Sequence, residues 1–151
     1  MKMPKFVVIV QCDIAHRRCS GWACTKSFYE RTGRFSQLPN ENLQYISFTC
    51  GGCCGKGLAA KLEHFAAKLA SQTQINKDEV MVYLSSCMAT DHHHYSRCPH
   101  LGMIKGILAK HDFKNVVEGT YISQKSTQKR AEGIYRDYDK SSGGTDSADC
   151  C

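Results

Sequence analysis

Nowhere does this sequence approach the run of about eighteen apolar residues that crosses a membrane. Its first apolar run, Phe6-Val7-Val8-Ile9-Val10, stops after five residues. That is too short for the core of a secretory signal, and no small-residue cleavage site follows it, so a reducing, cytoplasmic setting is expected. A basic stripe with interleaved aromatics is missing as well. The 20 basic residues outnumber the 14 acidic ones, giving a net charge of +6. They are scattered, however, with Arg17 and Arg18, Lys56, Lys61, Lys105, Lys110, Lys129 and Arg130 far apart along the chain. A solvated, mildly basic surface accounts for them, and nucleic-acid binding is not expected. Internal repeats are lacking too.

Three familiar site patterns are incomplete. In a phosphate-binding GxxxxGK[ST] loop, Gly55-Lys56 would be followed by Ser or Thr, but Gly57 comes next, and position 50 is Cys instead of Gly. Residues 55–60, Gly-Lys-Gly-Leu-Ala-Ala, satisfy the looser dinucleotide pattern GxGxxA. That pattern belongs after the first strand, with an acidic residue ending the next one; here Asp78 and Glu79 precede a strand. A thioredoxin-like reading needs a proline ahead of a later strand, and Pro99 is expected to start a helix.

What the chain has in excess is cysteine, ten in 151 residues. In a secreted protein that count would suggest a disulfide framework. In a reducing compartment it points to metal or thiol chemistry. The length suits one domain with a real core.

Hydrophobic patterning predicts strands over 6–10, 45–49, 80–84 and 116–117. Between them, Trp22 to Thr32 reads as a helix with Trp22, Phe28 and Tyr29 as core contacts and Gly33 as its stop. A loop is expected over 34–44. Leu58, Leu62, Phe65 and Leu69 recur at helical spacing, and Pro99 opens a helix whose buried face is Leu101, Ile104, Ile107 and Leu108. This order predicts an α/β fold: an open, mainly parallel sheet of about four strands with helices on both faces, a Rossmann-like three-layer sandwich. The main domain is expected over 1–122. An extension over 123–151 would be partly helical (125–138), then linker-like and disordered over 141–148.

The cysteines fall at informative places. Cys12 follows the first strand, Cys50 the second and Cys87 the third. In a parallel sheet these ends share one rim, the edge at which α/β proteins bind ligands. Cys19, Cys24, Cys53 and Cys98, with His100, lie on loops able to reach it. In Cys50-Gly51-Gly52-Cys53, two glycines permit a tight turn that points both sulfurs at one place, and the helix that follows favours thiolate at its N-terminus. His100 reads equally well as a ligand or as a surface histidine near a helix start. For His92-His93-His94 a solvated loop is the favoured reading, for Cys54 a spare thiol or a small packed residue, and for Cys150-Cys151 incidental tail residues.

Taken together, Cys12, the Cys19-Ser20-Gly21-x-x-Cys24 segment, Cys50-Gly51-Gly52-Cys53 followed by Gly55-Lys56, Ser86-Cys87, Cys98-Pro99-His100 and Val117-Glu118-Gly119-Thr120 resemble the CGGC-domain family over roughly residues 5 to 121. The resemblance implies zinc binding, with Cys12, Cys19, Cys24, Cys50, Cys53, Cys87, Cys98 and His100 as candidate ligands. It implies no established reaction. Tyr121 stands where relatives often carry histidine, and Cys54, the triple histidine and the cysteine-ended tail are departures.

Two functions follow as expectations. The first is a metal-binding protein, its partner a metal ion, with Cys50, Cys53, Cys87 and Cys98 or His100 around zinc; sulfur-rich tetrahedral sets also suit an iron–sulfur cluster. The second is a thiol oxidoreductase in which Cys53 or Cys50 attacks and another cysteine resolves. Metal or cluster delivery is a third, weaker option.

Overall fold

The structure, a computed structural model, describes residues 2–93 and 95–138. Strands β1 (Phe6–Gln11), β2 (Gln44–Thr49), β3 (Val80–Leu84) and β4 (Val116–Glu118) form one sheet in the order β2-β1-β3-β4, with every pairing parallel. The α/β, Rossmann-like expectation holds. The reason lies in the central strand. Val8 and Val10 point into one core cluster, Val7 and Ile9 into another on the opposite face, and all four are fully buried. A strand covered on both sides has no face to give to polar residues, so its sequence reads as an unbroken apolar run. Edge strand β2 is less covered and mixes exposed with half-buried positions.

Helices α2 (Lys56–Gln72) and α4 (Leu101–Lys110) cover the first face. Leu58, Leu62, Phe65 and Leu69, spaced three and four apart, pack with Leu101, Ile104 and Leu108 against Val82 and Leu84. Each such side chain contributes about 1.5–3 kcal/mol by leaving water. The second face is covered by α1 (Trp22–Glu30) and a 3-10 turn, Gly33–Gln37.

Several expectations are corrected here. Trp22 and Tyr29 are not core contacts, being 70% and 68% exposed. A nine-residue helix offers only a narrow buried stripe, and Phe28 fills it, with its ring centroid 5.7 Å from Phe35 and 5.1 Å from Tyr45. The helix also ends ahead of Gly33: Arg31 takes the left-handed conformation (φ 56°), and its guanidinium bonds the Pro39, Glu41 and Phe28 carbonyls. The segment predicted as loop over 34–44 carries a core residue, Phe35. Pro99 lies in the turn before α4 instead of opening it. A short helix, α3 (Ser86–Ala89), follows β3 and carries Cys87.

Beyond β4, α5 (Gln124–Ala131) realises only the first half of the helix expected over 125–138; Gly133, with φ 78°, lies just past its end. The chain then returns to the loop after α3. There buried Asp91 accepts hydrogen bonds from the Arg97 N–H (2.7 Å), the Arg136 N–H (3.1 Å) and the Tyr138 hydroxyl (3.0 Å). His94, the linker expected over 141–148 and the Cys150-Cys151 pair lie outside the described residues. No helix among the described residues is long and apolar enough to cross a membrane.

Candidate functional site

All four strands run the same way, so their C-terminal ends form one rim. The ladder continues one step past the strands: Cys50 N–H donates to the Gln11 carbonyl (2.8 Å), Ser85 N–H to Val10 (2.9 Å) and Gly119 N–H to Leu84 (2.7 Å). These bonds set Cys12, Cys50 and the Ser85-Ser86-Cys87 segment on neighbouring chain ends. A second tie joins β3 to β4. Thr120 N–H donates to Ser86 Oγ (2.9 Å), and Ser86 N–H donates to Thr120 Oγ1 (3.2 Å).

From this rim the thiols diverge to the two faces of the sheet. On the α2/α4 face, Cys12, Cys50 and Cys98 are half-buried against the apolar core. The turn that carries Cys50 and Cys53 is shaped by close backbone contact. Gly51 has φ 69°, and a Cβ there would lie 2.7 Å from the Gly57 Cα in the first turn of α2. Only glycine tolerates both. Cys53 is half-buried and Cys54 exposed. His100 caps the start of α4 in a buried position, and its Nδ1 has no hydrogen-bond partner among the described residues.

On the other face, Cys24 occupies the first turn of α1, half-buried, with its Sγ 3.2 Å from Thr120 Oγ1. Burial pushes its thiol above the ordinary value. Bonds from Thr120 and Gln11 oppose that shift, and neighbouring Cys19 adds to it. Cys87 lies 2.9 Å from Ser85 Oγ. Burial pushes this thiol up too, against bonds from Ser85 and the Cys12 backbone, and the Cys12 and Cys24 sulfurs push it further. Cys19 is exposed, and its sulfur accepts the Gly21 N–H at 3.4 Å. Thr120 Oγ1 thus joins the Cys24 thiol to the Ser86 backbone, one residue before Cys87.

A cleft of about 1120 Å³ opens between α1, the β4 end and α5, lined by Cys19, Cys24 and Cys87 but by none of Cys12, Cys50, Cys53, Cys98 or His100. The sequence offered Gly119-Thr120 as a hint of this region, since a turn directly after a strand end belongs at the rim. It offered neither Arg34, whose N–H bond to the Thr120 carbonyl sets it beside the β4 end, nor Arg130, which lines the cleft because α5 folds back across it.

The sequence model of the CGGC domain matches residues 6–121, three quarters of the chain. The chain belongs to the CGGC-domain family. No curated protein and no solved structure matches this CGGC domain significantly. The zinc that the family resemblance implies is matched in kind by the donors: free thiols at the rim and a buried imidazole nitrogen without a partner among the described residues. Among the described residues, no three His, Cys, Asp or Glu side chains are gathered closely enough to hold an ion as they stand.

Proposed function

We propose that this CGGC domain binds a thiophilic metal ion, zinc in the ordinary case, through its rim thiols with Cys87 as the central donor. What carries the reading is that Cys19, Cys24 and Cys87 line one cleft, with Thr120 Oγ1 bonded both to the Cys24 thiol and to the backbone beside Cys87. Cys50 and Cys98 on the α2/α4 face, Cys53 in the turn after β2 and His100 at the start of α4 are further donors; the His100 Nδ1, without a partner among the described residues, is the one most in need of a ligand. Because no three donors converge in advance, side-chain rotation gathers the ion, and metal affinity is coupled to that ordering. Protein purified without oxygen is expected to contain zinc by elemental analysis and to shield Cys87 from a thiol reagent until a chelator is added. Metal-free protein whose Cys87 reacts equally before and after chelation would end this reading. A brown sample with iron and sulfide would replace zinc by a cluster.

A second reading, thiol exchange, is favoured by one observation: exposed Cys19 and half-buried Cys24 line the same cleft, an arrangement suited to an attacking thiol and a resolving one. That moves the attacking role from Cys53 and Cys50 to Cys19. Under this reading Cys19→Ser abolishes disulfide reductase activity and Cys53→Ser leaves it intact; the reverse result restores the role to the CGGC turn.

A further inference from the structure

The cleft beside the thiols is lined by three arginines, Arg18, Arg34 and Arg130, and by two acidic residues, Glu118 and Asp137. Glu118 already holds Lys105 at 2.8 Å and Arg97 at 3.3 Å, so its charge is spent outside the cleft. The remaining balance is positive. Within it, Arg130 Nη1 is buried and finds no acceptor among the described residues. A buried guanidinium N–H without an acceptor is costly, and the cost is removed by an oxyanion entering from solvent. The mouth of the same cleft carries exposed Trp22, Tyr121 and Ile122, a surface suited to the organic part of such an anion.

We propose that the cleft binds a small organic anion of the acidic disulfide class, with a carboxylate on Arg130 and the disulfide presented to Cys19. The recognition stands on the cleft alone; the chemical step rests on the thiol-exchange reading above. In that step the Cys19 thiolate attacks one sulfur of R–S–S–R. The Cys19–S–S–R bond forms, the original S–S bond breaks, and R–S⁻ leaves and takes a proton from water. The Cys19 sulfur is oxidised and the departing sulfur reduced, so the small disulfide is itself the oxidant. The Gly21 N–H on the Cys19 sulfur keeps that thiolate oriented at the cleft edge.

Trp22 is the chain's single tryptophan and lines the cleft, so its emission reports occupancy. In the reduced Cys19→Ser protein, titration with glutathione disulfide, an anionic probe, is expected to change that emission saturably, whereas cationic cystamine leaves it unchanged. Arg130→Gln should weaken the anionic probe about tenfold, the usual worth of one charge-assisted hydrogen bond. In the unmutated chain, peptide mass spectrometry should place the first glutathionyl adduct on Cys19. Equal responses to the two probes, or an Arg130→Gln variant that binds glutathione disulfide undiminished, overturn the anion site. Selective binding without any adduct overturns the exchange step and with it the second reading, while supporting anion recognition.

Discussion

The two faces of the sheet use cysteine differently. On the α2/α4 face, Cys12, Cys50 and Cys98 back onto the leucines and valines of the core. On the α1 face, Cys19, Cys24 and Cys87 meet hydroxyls, backbone N–H groups and an open cleft. The tetrapeptide that marks the family lies on the packed face, at a turn shaped by glycine contact. The open chemistry lies opposite, where the sequence carries no compact motif. A motif's visibility in sequence therefore measures how local its geometry is, which is a different matter from how reactive it is.

The contrast can be broken or sharpened by substitution. Leu58→Ala, in the core of the packed face, is expected to lower unfolding stability by about 2–5 kcal/mol in urea titrations, whereas Trp22→Ala at the cleft mouth should change it by no more than about 0.5 kcal/mol. Comparable losses would erase the distinction between the faces. Gly51→Ala combines an unfavourable φ with a contact against Gly57, and a loss of about 2 kcal/mol should appear while the Trp22 emission stays unchanged. An altered emission would mean that the two faces are coupled through the rim.

The Asp91 clasp offers a smaller effect. Burial alone would raise this carboxyl, but the Arg97 and Arg136 N–H groups, the Tyr138 hydroxyl and the Arg136 charge hold it below the ordinary value of 3.8. A depressed carboxyl stabilises the fold above the ordinary value and loses that contribution as pH falls through its folded value. Hydrogen-exchange protection over residues 132–138, taken relative to the intrinsic rate at each pH, should therefore fall on acidification below about pH 4, and in Asp91→Asn already at neutral pH, by about 1 kcal/mol of local stability. Unchanged exchange in the variant would show that α5 and its continuation are held by something other than Asp91.

The smallest effect concerns Cys24 and Cys87, both raised above the ordinary thiol value of 9.0. Below that value folded and unfolded chains are both protonated, and the contribution is complete. As pH rises past it the unfolded chain ionises first, so stability of metal-free protein falls until the folded thiols ionise as well. Cys24→Ala should flatten part of that decline; a decline that is unchanged in the variant would place its origin elsewhere.

The fold was legible because the apolar runs at 6–10 and 80–84 are buried on both faces and the α2 stripe on one, so burial writes directly into local pattern. Strand-end positions made Cys12, Cys50 and Cys87 legible as rim residues by topology alone. Trp22 was misread because an aromatic at a helix start looks the same in sequence whether it faces a core or a cleft. Arg130 was illegible for a related reason. Its place depends on where α5 returns, and no spacing within 124–131 encodes that.

The bond between Cys24 and Thr120 spans 96 residues. During synthesis the α1 thiol is made long before its partner, and the ties between Ser86 and Thr120 cannot close until β4 has been threaded into the sheet. Until then Cys24 has no Thr120 to bond. Completion of the last strand is thus the step at which the α1 thiol and the segment before Cys87 acquire their shared partner. In a chain ending before Gly119, Cys24 should react faster with a thiol reagent than in the whole chain.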